Sequence, residues 1–522
     1  MPQGTHGNDG ETFFGLPSAW RQAMEFSQHG MPGRFESEVA DMVVFGDIPK
    51  EINGTFYRMM IDPLYPLMPN NPAIEGDGNI CALRIQDGRV DMKNKYVETE
   101  RLKLERQAKK RLFGLYRNPF THHPCVRAAI ESTANTNVIY WAGRLLALKE
   151  MAQPYEIHPD TLHTLGFDPF AFPGKTFSAH PKVDPFTNEL VCFGYEAKGL
   201  ATKDIVIYSL DQIGNIKDEQ WIEAPWCAFI HDCAITANYI ILVLWPFEAH
   251  LDRIESGGQH WLFSYDRPAT FISKGESRVY HWENSVAIHT AGSWEDEDGK
   301  LYFESSRVFY NTLPWFEPPG EPDMKDLKAD YVRWEIDVNQ PTGTKVKDPQ
   351  VILDLPSEFA RIDERFLTRT YDRMFVPVLL PHRPNTAPPV VPLCLNGYVM
   401  LEKGIDRRTF FDPGPHAAAE EPIFIPRSES ATEGDGWVLA MVQRTDVNRS
   451  DLIVLDTRHF EKPVAVIQLP FRTKNQIHGN WVDSKERHGQ ILPLVRYGIY
   501  YASRVAIPDH NTRDQISSHS YM

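Results

Sequence analysis

The chain has 522 residues, 42% apolar and 24% charged, a globular balance with ample material for a core and nothing of a disordered or collagenous composition. Asp and Glu number 70 against 54 Lys and Arg, a formal charge of −16 that repels phosphate backbones and anionic membranes and so excludes a nucleic-acid partner from expectation. No apolar run approaches the roughly 20 residues that span a bilayer, and the opening MPQGTHGNDG lacks a basic stretch followed by an apolar one, which predicts a cytoplasmic protein without a transmembrane anchor.

Taken in chain order, a helix is predicted over Ser18 to His29, followed by β-rich runs separated by tight turns from about Ile52 to about Pro470. Asn53-Gly54 reads as a turn. Ile80–Ile85 and Arg89–Met92 flank Asp87-Gly88 as a hairpin, and Asn137–Trp141 and Arg144–Leu148 flank Ala142-Gly143 in the same way. A second helix is predicted from Glu98 to Leu112, its apolar spacing interrupted by basic residues. Further strands are read at Asp204–Tyr208, Tyr239–Trp245, Lys300–Glu304, Trp437–Val442 and Leu452–Leu455. No long helical pattern alternates with them, which argues against βαβ units. Many hairpins, 40 prolines and 33 glycines suit an all-β propeller better than two sandwiches, although no repeat of fixed period marks the blades.

The expected organisation is one propeller domain over residues 1–522, with an N-terminal extension (1–35), a core and cap (36–483) and a polar, loosely attached tail (484–522). Pro381 to Pro392, with five prolines, reads equally as a linker or a long surface loop. The six cysteines (Cys81, Cys125, Cys192, Cys227, Cys233, Cys394) contain no Cys-x-x-Cys pair and read as free thiols of a reducing compartment.

Zinc-protease, Walker, nucleophile-elbow and Rossmann signatures are absent. Four of the 19 histidines stand beside or within strand-like segments: His180 in Phe-Ser-Ala-His-Pro-Lys, His231 in Phe-Ile-His-Asp, His289 in Val-Ala-Ile-His-Thr and His478 in Ile-His-Gly-Asn-Trp. Singly, each is more often a hydrogen-bonded structural residue than a ligand. A propeller changes the balance, because the inner strand of every blade faces one axis and delivers residues from distant positions to a common point. Imidazole suits Fe, Zn, Cu and Ni alike, so ligand type selects no metal, and a metal-free binding module with histidines filling its channel stands as the reading from another class.

Together with Asn53-Gly-Thr-Phe-Tyr-Arg58, Gly76-Asp-Gly78, Ala134-Asn-Thr-Asn137, Leu146-Ala-Leu-Lys-Glu150, Glu358-Phe-Ala-Arg-Ile362 and Glu421-Pro-Ile-Phe-Ile-Pro-Arg427, these segments resemble the carotenoid cleavage oxygenase family over nearly all of Glu51 to Trp481. The resemblance implies a seven-bladed β-propeller with helices and loops capping the face that carries the active site. It implies one Fe(II) held by His180, His231, His289 and His478, with Glu150, Glu358 and Glu421 accepting hydrogen bonds from the outer ring nitrogens, and dioxygen as co-substrate. The chain departs from the usual pattern at Ile288, where an aromatic residue more often precedes the histidine, and at Ala360, where many relatives carry proline.

Within the family the chain looks closest to the stilbene-cleaving branch. Lys149 stands where carotenoid-cleaving relatives have an aromatic or apolar residue, and Tyr116 lies in Leu-Phe-Gly-Leu-Tyr-Arg-Asn-Pro119. The resemblance assigns this pair to the 4-hydroxyl of a phenolic stilbene such as resveratrol or piceatannol, which would be cleaved at its central double bond into two aromatic aldehydes, through a dioxetane or a related intermediate. An ammonium in an apolar tunnel needs an anion beside it, and a phenolate is one. Read without the resemblance, Lys149 snorkels to solvent and Tyr116 caps the core. Carotenoid or apocarotenoid cleavage and cleavage of phenylpropenes such as isoeugenol are the rival activities. The predicted Glu98–Leu112 helix is too charged to supply the apolar patch that drawing a carotenoid from a membrane needs.

Overall fold

In the computed structural model, which describes residues 12–13, 16–17, 31–68, 71–172, 176–273, 277–316, 329–383 and 395–495, the predicted hairpins form as antiparallel ladders. Gly78–Gln86 pairs with Arg89–Tyr96 across Asp87 (φ 51°) and Gly88 (φ 74°), and Asn137–Trp141 pairs with Arg144–Lys149 across Ala142 (φ 50°) and Gly143 (φ 75°). Two successive positive φ values give the turn twist that matches right-handed strand twist.

Repetition of this unit gives, among the described residues, seven sheets of four or five strands and one two-stranded ribbon, Thr12–Phe13 with Leu16–Pro17. The sheets are the blades of a propeller. Their innermost strands are Asn137–Trp141, Lys182–Val183, Ala228–Ile235, Val286–Glu295, Arg361–Ile362, Ala417–Pro426 and Gln476–Asp483. The last of these closes the ring. It pairs with Gly54–Ile61, so that one blade joins the C-terminal strand to three hairpin-connected strands and Ser37–Val39 from the N-terminal side. A second clasp lies on the neighbouring blade, where Val43–Gly46 adds to the edge strand Pro463–Gln468.

Arg58 bolts the closure. Its side chain is fully buried, and its guanidinium donates to Gln476 Oε1 (3.2 Å), Thr473 Oγ1 (2.8 Å), the Lys474 carbonyl (3.1 Å) and Glu420 Oε2 (2.6 Å). One side chain thus ties an early strand, the approach to the closing strand and the inner strand of the adjacent blade.

The predicted Ser18–His29 helix lies outside the described residues, as do residues 384–392 of the proline-rich segment. The second helix is Glu100–Ala108, shorter than expected at both ends. Thr99 caps it by accepting from Leu102 N–H, and Lys109 ends it in the left-handed region (φ 54°). Arg101 and Glu105 on this helix are buried, so it brings charge into the interior rather than merely decorating the sheets. The segment after Trp481, read as a loosely attached tail, is docked as far as it is described. Arg487 pairs with Asp160 (3.1 Å), Arg84 donates to the Leu492 carbonyl (2.7 Å), and Leu494 is buried.

Because Arg58 is paired in a dry place, its replacement leaves Glu420 unmatched, and Arg58→Met is expected to destabilise the protein by about 3–5 kcal/mol. The measurement is the guanidinium unfolding midpoint by circular dichroism; a midpoint equal to that of the wild-type chain would show that closure does not depend on this contact.

Candidate active site

The four singled-out histidines meet. Their nearest ring nitrogens all lie within 4.8 Å of one another, although the residues come from four different blades. His231 Nε2 and His289 Nε2 are 2.8 Å apart, and the ring centroids of His180 and His478 are 4.5 Å apart.

A backbone irregularity explains how. The ladder shifts register between Ile230 and Cys233, between Ala287 and Thr290, and between Gln476 and Gly479. Each shift sets two residues of the inner strand against one of its partner, and one residue of each pair is a histidine: His231 with Asp232, Ile288 with His289, and Ile477 with His478. Such bulges bend the strand and re-aim a side chain, here toward the propeller axis. Glu421 lies in a fourth bulge, between Ala419 and Pro422. His180 is placed differently, two residues ahead of Lys182–Val183, with its backbone N–H donating to Ser178 Oγ (2.8 Å).

The outer nitrogens of three rings face carboxylates. His231 Nδ1 meets Glu150, His289 Nδ1 lies 2.8 Å from both oxygens of Glu358, and His478 Nδ1 is 3.1 Å from Glu421 Oε1. The three glutamates come from the three blades that supply no histidine, so each of the seven blades contributes one residue. Burial alone would raise the Glu421 carboxyl, but His478, Arg361 and the Gly479 N–H hold it down at about 2. Burial and the neighbouring imidazoles push His180 well below the ordinary histidine range, which keeps that ring neutral.

These residues fit a divalent transition metal. A carboxylate on Nδ1 fixes the proton there and leaves Nε2 as a bare lone pair. His180 Nε2 and His478 Nε2 are buried and make no hydrogen bond within the protein. A buried polar atom without a partner costs about 1–3 kcal/mol, and an ion at the point of convergence is the partner the geometry provides for.

A cavity of about 300 Å³ reaches His180, His289 and His478 along the inner strands. Phe359 borders it, stacked on His289 at 5.2 Å between centroids, in a left-handed conformation (φ 58°) that is costly for an aromatic residue. Neither Tyr116 nor Lys149 lines this cavity. Both are buried nonetheless, at 1% and 5% exposure, so Lys149 does not snorkel to solvent. Lys149 Nζ sits 5.0 Å from the centroid of the Tyr116 ring, and Tyr116 Oη has no hydrogen-bond partner within the protein. The Tyr116 backbone is anchored by Asn71 Oδ1 (2.8 Å). Burial, with Glu150 nearby, raises the Tyr116 phenol well above its ordinary range.

One charged neighbour was not singled out in the sequence: Glu75, fully buried, with Oε2 3.7 Å from Lys149 Nζ. Its position directly before Gly76-Asp77-Gly78 was the available signal. Asp232, next to His231, is a junction between three blades. It accepts from Lys182 Nζ (2.8 Å), Cys233 N–H (2.7 Å) and Thr290 N–H (2.7 Å).

Comparison with known proteins gives three concordant findings. A family model described as retinal pigment epithelial membrane protein matches residues 30–483. The chain is 54% identical to resveratrol cleavage oxygenase 1 of Botryotinia fuckeliana over 93% of this chain and 90% of that protein. It is also 35% identical to isoeugenol monooxygenase of Pseudomonas nitroreducens over 87% and 96%. Among solved structures, lignostilbene dioxygenase of Pseudomonas brassicacearum superposes with a TM-score of 0.83 at 36% identity, covering 89% of this chain and 99% of that one.

If the carboxylates fix the bare Nε2 lone pairs, Glu421→Gln, which can no longer accept from His478 with full charge, lowers metal affinity by about 10–100-fold. Competition with a chelator of known affinity measures this on the folded protein. Affinity equal to wild type would remove Glu421 from the metal's support.

Proposed function

Since the chain belongs to the carotenoid cleavage oxygenase family, we propose that it is a non-haem Fe(II) dioxygenase that cleaves the central double bond of 4-hydroxystilbenes such as resveratrol and piceatannol. The ligands are His180, His231, His289 and His478, with Glu150, Glu358 and Glu421 as their supports. When bound, the ferrous ion supplies a Lewis-acidic and redox-active centre at which dioxygen is activated. The reaction adds both atoms of O2 to the two alkene carbons and breaks the bond between them, so resveratrol yields 4-hydroxybenzaldehyde and 3,5-dihydroxybenzaldehyde.

The observation that carries this reading is the buried, unpartnered Tyr116 hydroxyl beside a buried ammonium. A phenolic oxygen answers both. Tyr116, held protonated by burial, donates a hydrogen bond, and Lys149 brings positive charge, so the substrate's 4-oxygen is favoured as a phenolate. Its electrons then conjugate through the ring into the central double bond. Charge stabilisation of this kind is strongest in a dry site, where water does not compete. The opposite ring needs no such partner.

The substrate is thus a small phenol and not a membrane lipid. No helix among the described residues is long and apolar enough to cross a membrane, and Cys81, Cys125, Cys192, Cys227 and Cys233 are free thiols, which suits the cytoplasm.

Oxygen uptake on resveratrol, isoeugenol and an apocarotenal, with the aldehydes identified by chromatography, tests the reading; the expected ranking puts resveratrol first. Chelator-treated protein should lose activity and recover it with Fe(II). Lys149→Ala should depress kcat/KM on resveratrol by about 10²–10³ with iron content intact, as removal of one preorganised electrostatic contact does. Full turnover in that variant would end the phenolate reading, and full turnover after complete removal of iron would end the metal reading.

A further inference from the structure

Lys149 ends the strand Arg144–Lys149 in a place that holds an ammonium poorly, and burial lowers its proton affinity. Its own hairpin offers little compensation, because the carboxylate of the next residue, Glu150, is turned to His231. Compensation comes from elsewhere in the chain. Glu75 ends the short 3-10 turn Ala73–Glu75, is 1% exposed, and directs its two oxygens to two cations. Oε1 accepts from Arg101 Nη1, and Oε2 lies 3.7 Å from Lys149 Nζ. The second distance exceeds that of a hydrogen bond, so the carboxylate supplies attraction without engaging a proton of the ammonium. Glu75 Oε2 is itself buried without a hydrogen-bond donor.

We propose that Glu75 is a positioning residue for the reaction: its carboxylate, fixed by Arg101, keeps Lys149 an ammonium with its protons directed to the substrate's 4-oxygen. This rests on the reading of Tyr116 and Lys149 as the phenol subsite. The arrangement is built from three elements. The turn before Gly76 carries the carboxylate, and the helix Glu100–Ala108 carries the fully buried Arg101, stacked 4.8 Å over the Phe113 ring. Arg111 holds the turn by donating to the Glu75 carbonyl (2.9 Å), and Glu105 holds Arg111 (3.1 Å). The other groups facing Lys149 are Arg101, which lowers its proton affinity, Glu150 and Glu131, which raise it, and the Tyr116 ring. Among the charged groups Glu75 acts most strongly in favour of the ammonium.

The sign of the expected effect follows. Neutralising Glu75 removes the largest influence holding the proton on Lys149, so the ammonium is lost at lower pH and the alkaline limb of kcat/KM moves downward. The test is the pH profile of resveratrol cleavage by the iron-loaded enzyme, with iron content measured in each variant. Glu75→Gln is expected to move the limb down by about one pH unit or more and to lower kcat/KM near pH 8 about tenfold. Glu75→Asp, which keeps the charge, should recover most of the loss. In a Lys149→Arg background, where the cation does not titrate, Glu75→Gln should move no limb. A limb that stays in place in Glu75→Gln, or moves equally in the Lys149→Arg background, overturns the proposal. If Glu75→Gln does not fold, Glu75→Asp against wild type decides it, because a shortened carboxylate still predicts a smaller shift in the same direction. Full turnover by Lys149→Ala would instead remove the phenol subsite, a result distinguishable from failure of Glu75 alone.

Discussion

Four imidazoles converging within 4.8 Å, with no carboxylate among them, are the constraint around which this protein is organised. Such a set brings lone pairs but no negative charge, so a dication at its centre is compensated only from one shell further out. The three carboxylates that face the outer ring nitrogens are buried, which is expensive unless every one is hydrogen-bonded. Glu421 accepts from His478, the Gly479 N–H and Arg361, and Glu358 accepts from His289 and the Phe359 N–H. The left-handed backbone at Phe359 places that last N–H and stacks the ring on His289, so local strain supports the centre in two ways.

A propeller answers this demand with unusual economy of sequence. The site needs seven residues at one point, and the fold has seven inner edges facing one axis. Direction is the remaining difficulty, since residues of a regular strand point across the sheet rather than along its edge. Bulges at His231, His289, His478 and Glu421 resolve it by locally doubling one strand against its partner. The ring must also stay closed, because His478 sits on the closing strand. Arg58 and Glu420 join that closure to the blade that carries Glu421, so the fastening of the ring and the geometry of the centre share neighbouring residues.

The sequence made the hairpins legible because Asp87-Gly88 and Ala142-Gly143 carry their turn type in two residues. The histidines were legible through flanking motifs that resemble the family's, and it was this resemblance that implied their convergence; a propeller alone only made it geometrically possible. The bulges were not legible: a single extra residue in a ladder leaves no mark on apolar alternation when both faces are buried, as around Ile230 to Cys233. The pairing of each glutamate with its histidine is a property of blade order and was equally hidden. Glu75 and Arg101 escaped for another reason. Charged residues in a helix such as Glu100–Ala108 read as a solvated face, and only tertiary packing shows that Arg101 and Glu105 point inward.

Lys149 and Glu150 are consecutive, and this adjacency links the two halves of the site. Lys149 sits over the Tyr116 ring, where the proposed function puts the substrate's phenol, and Glu150 meets His231. The turn that follows is fixed by Met151, which takes a positive φ of 65° and donates its N–H to the Phe177 carbonyl (2.8 Å). Displacement of the strand end therefore moves the ammonium beside Tyr116 and the carboxylate on His231 together. A cation at position 149 attracted by Glu75, on an element outside the hairpin, resists such displacement. The buried charges around Arg101 thus have a mechanical consequence as well as an electrostatic one: they hold the common peptide from which both the Lys149 ammonium and the Glu150 carboxylate on His231 take their positions.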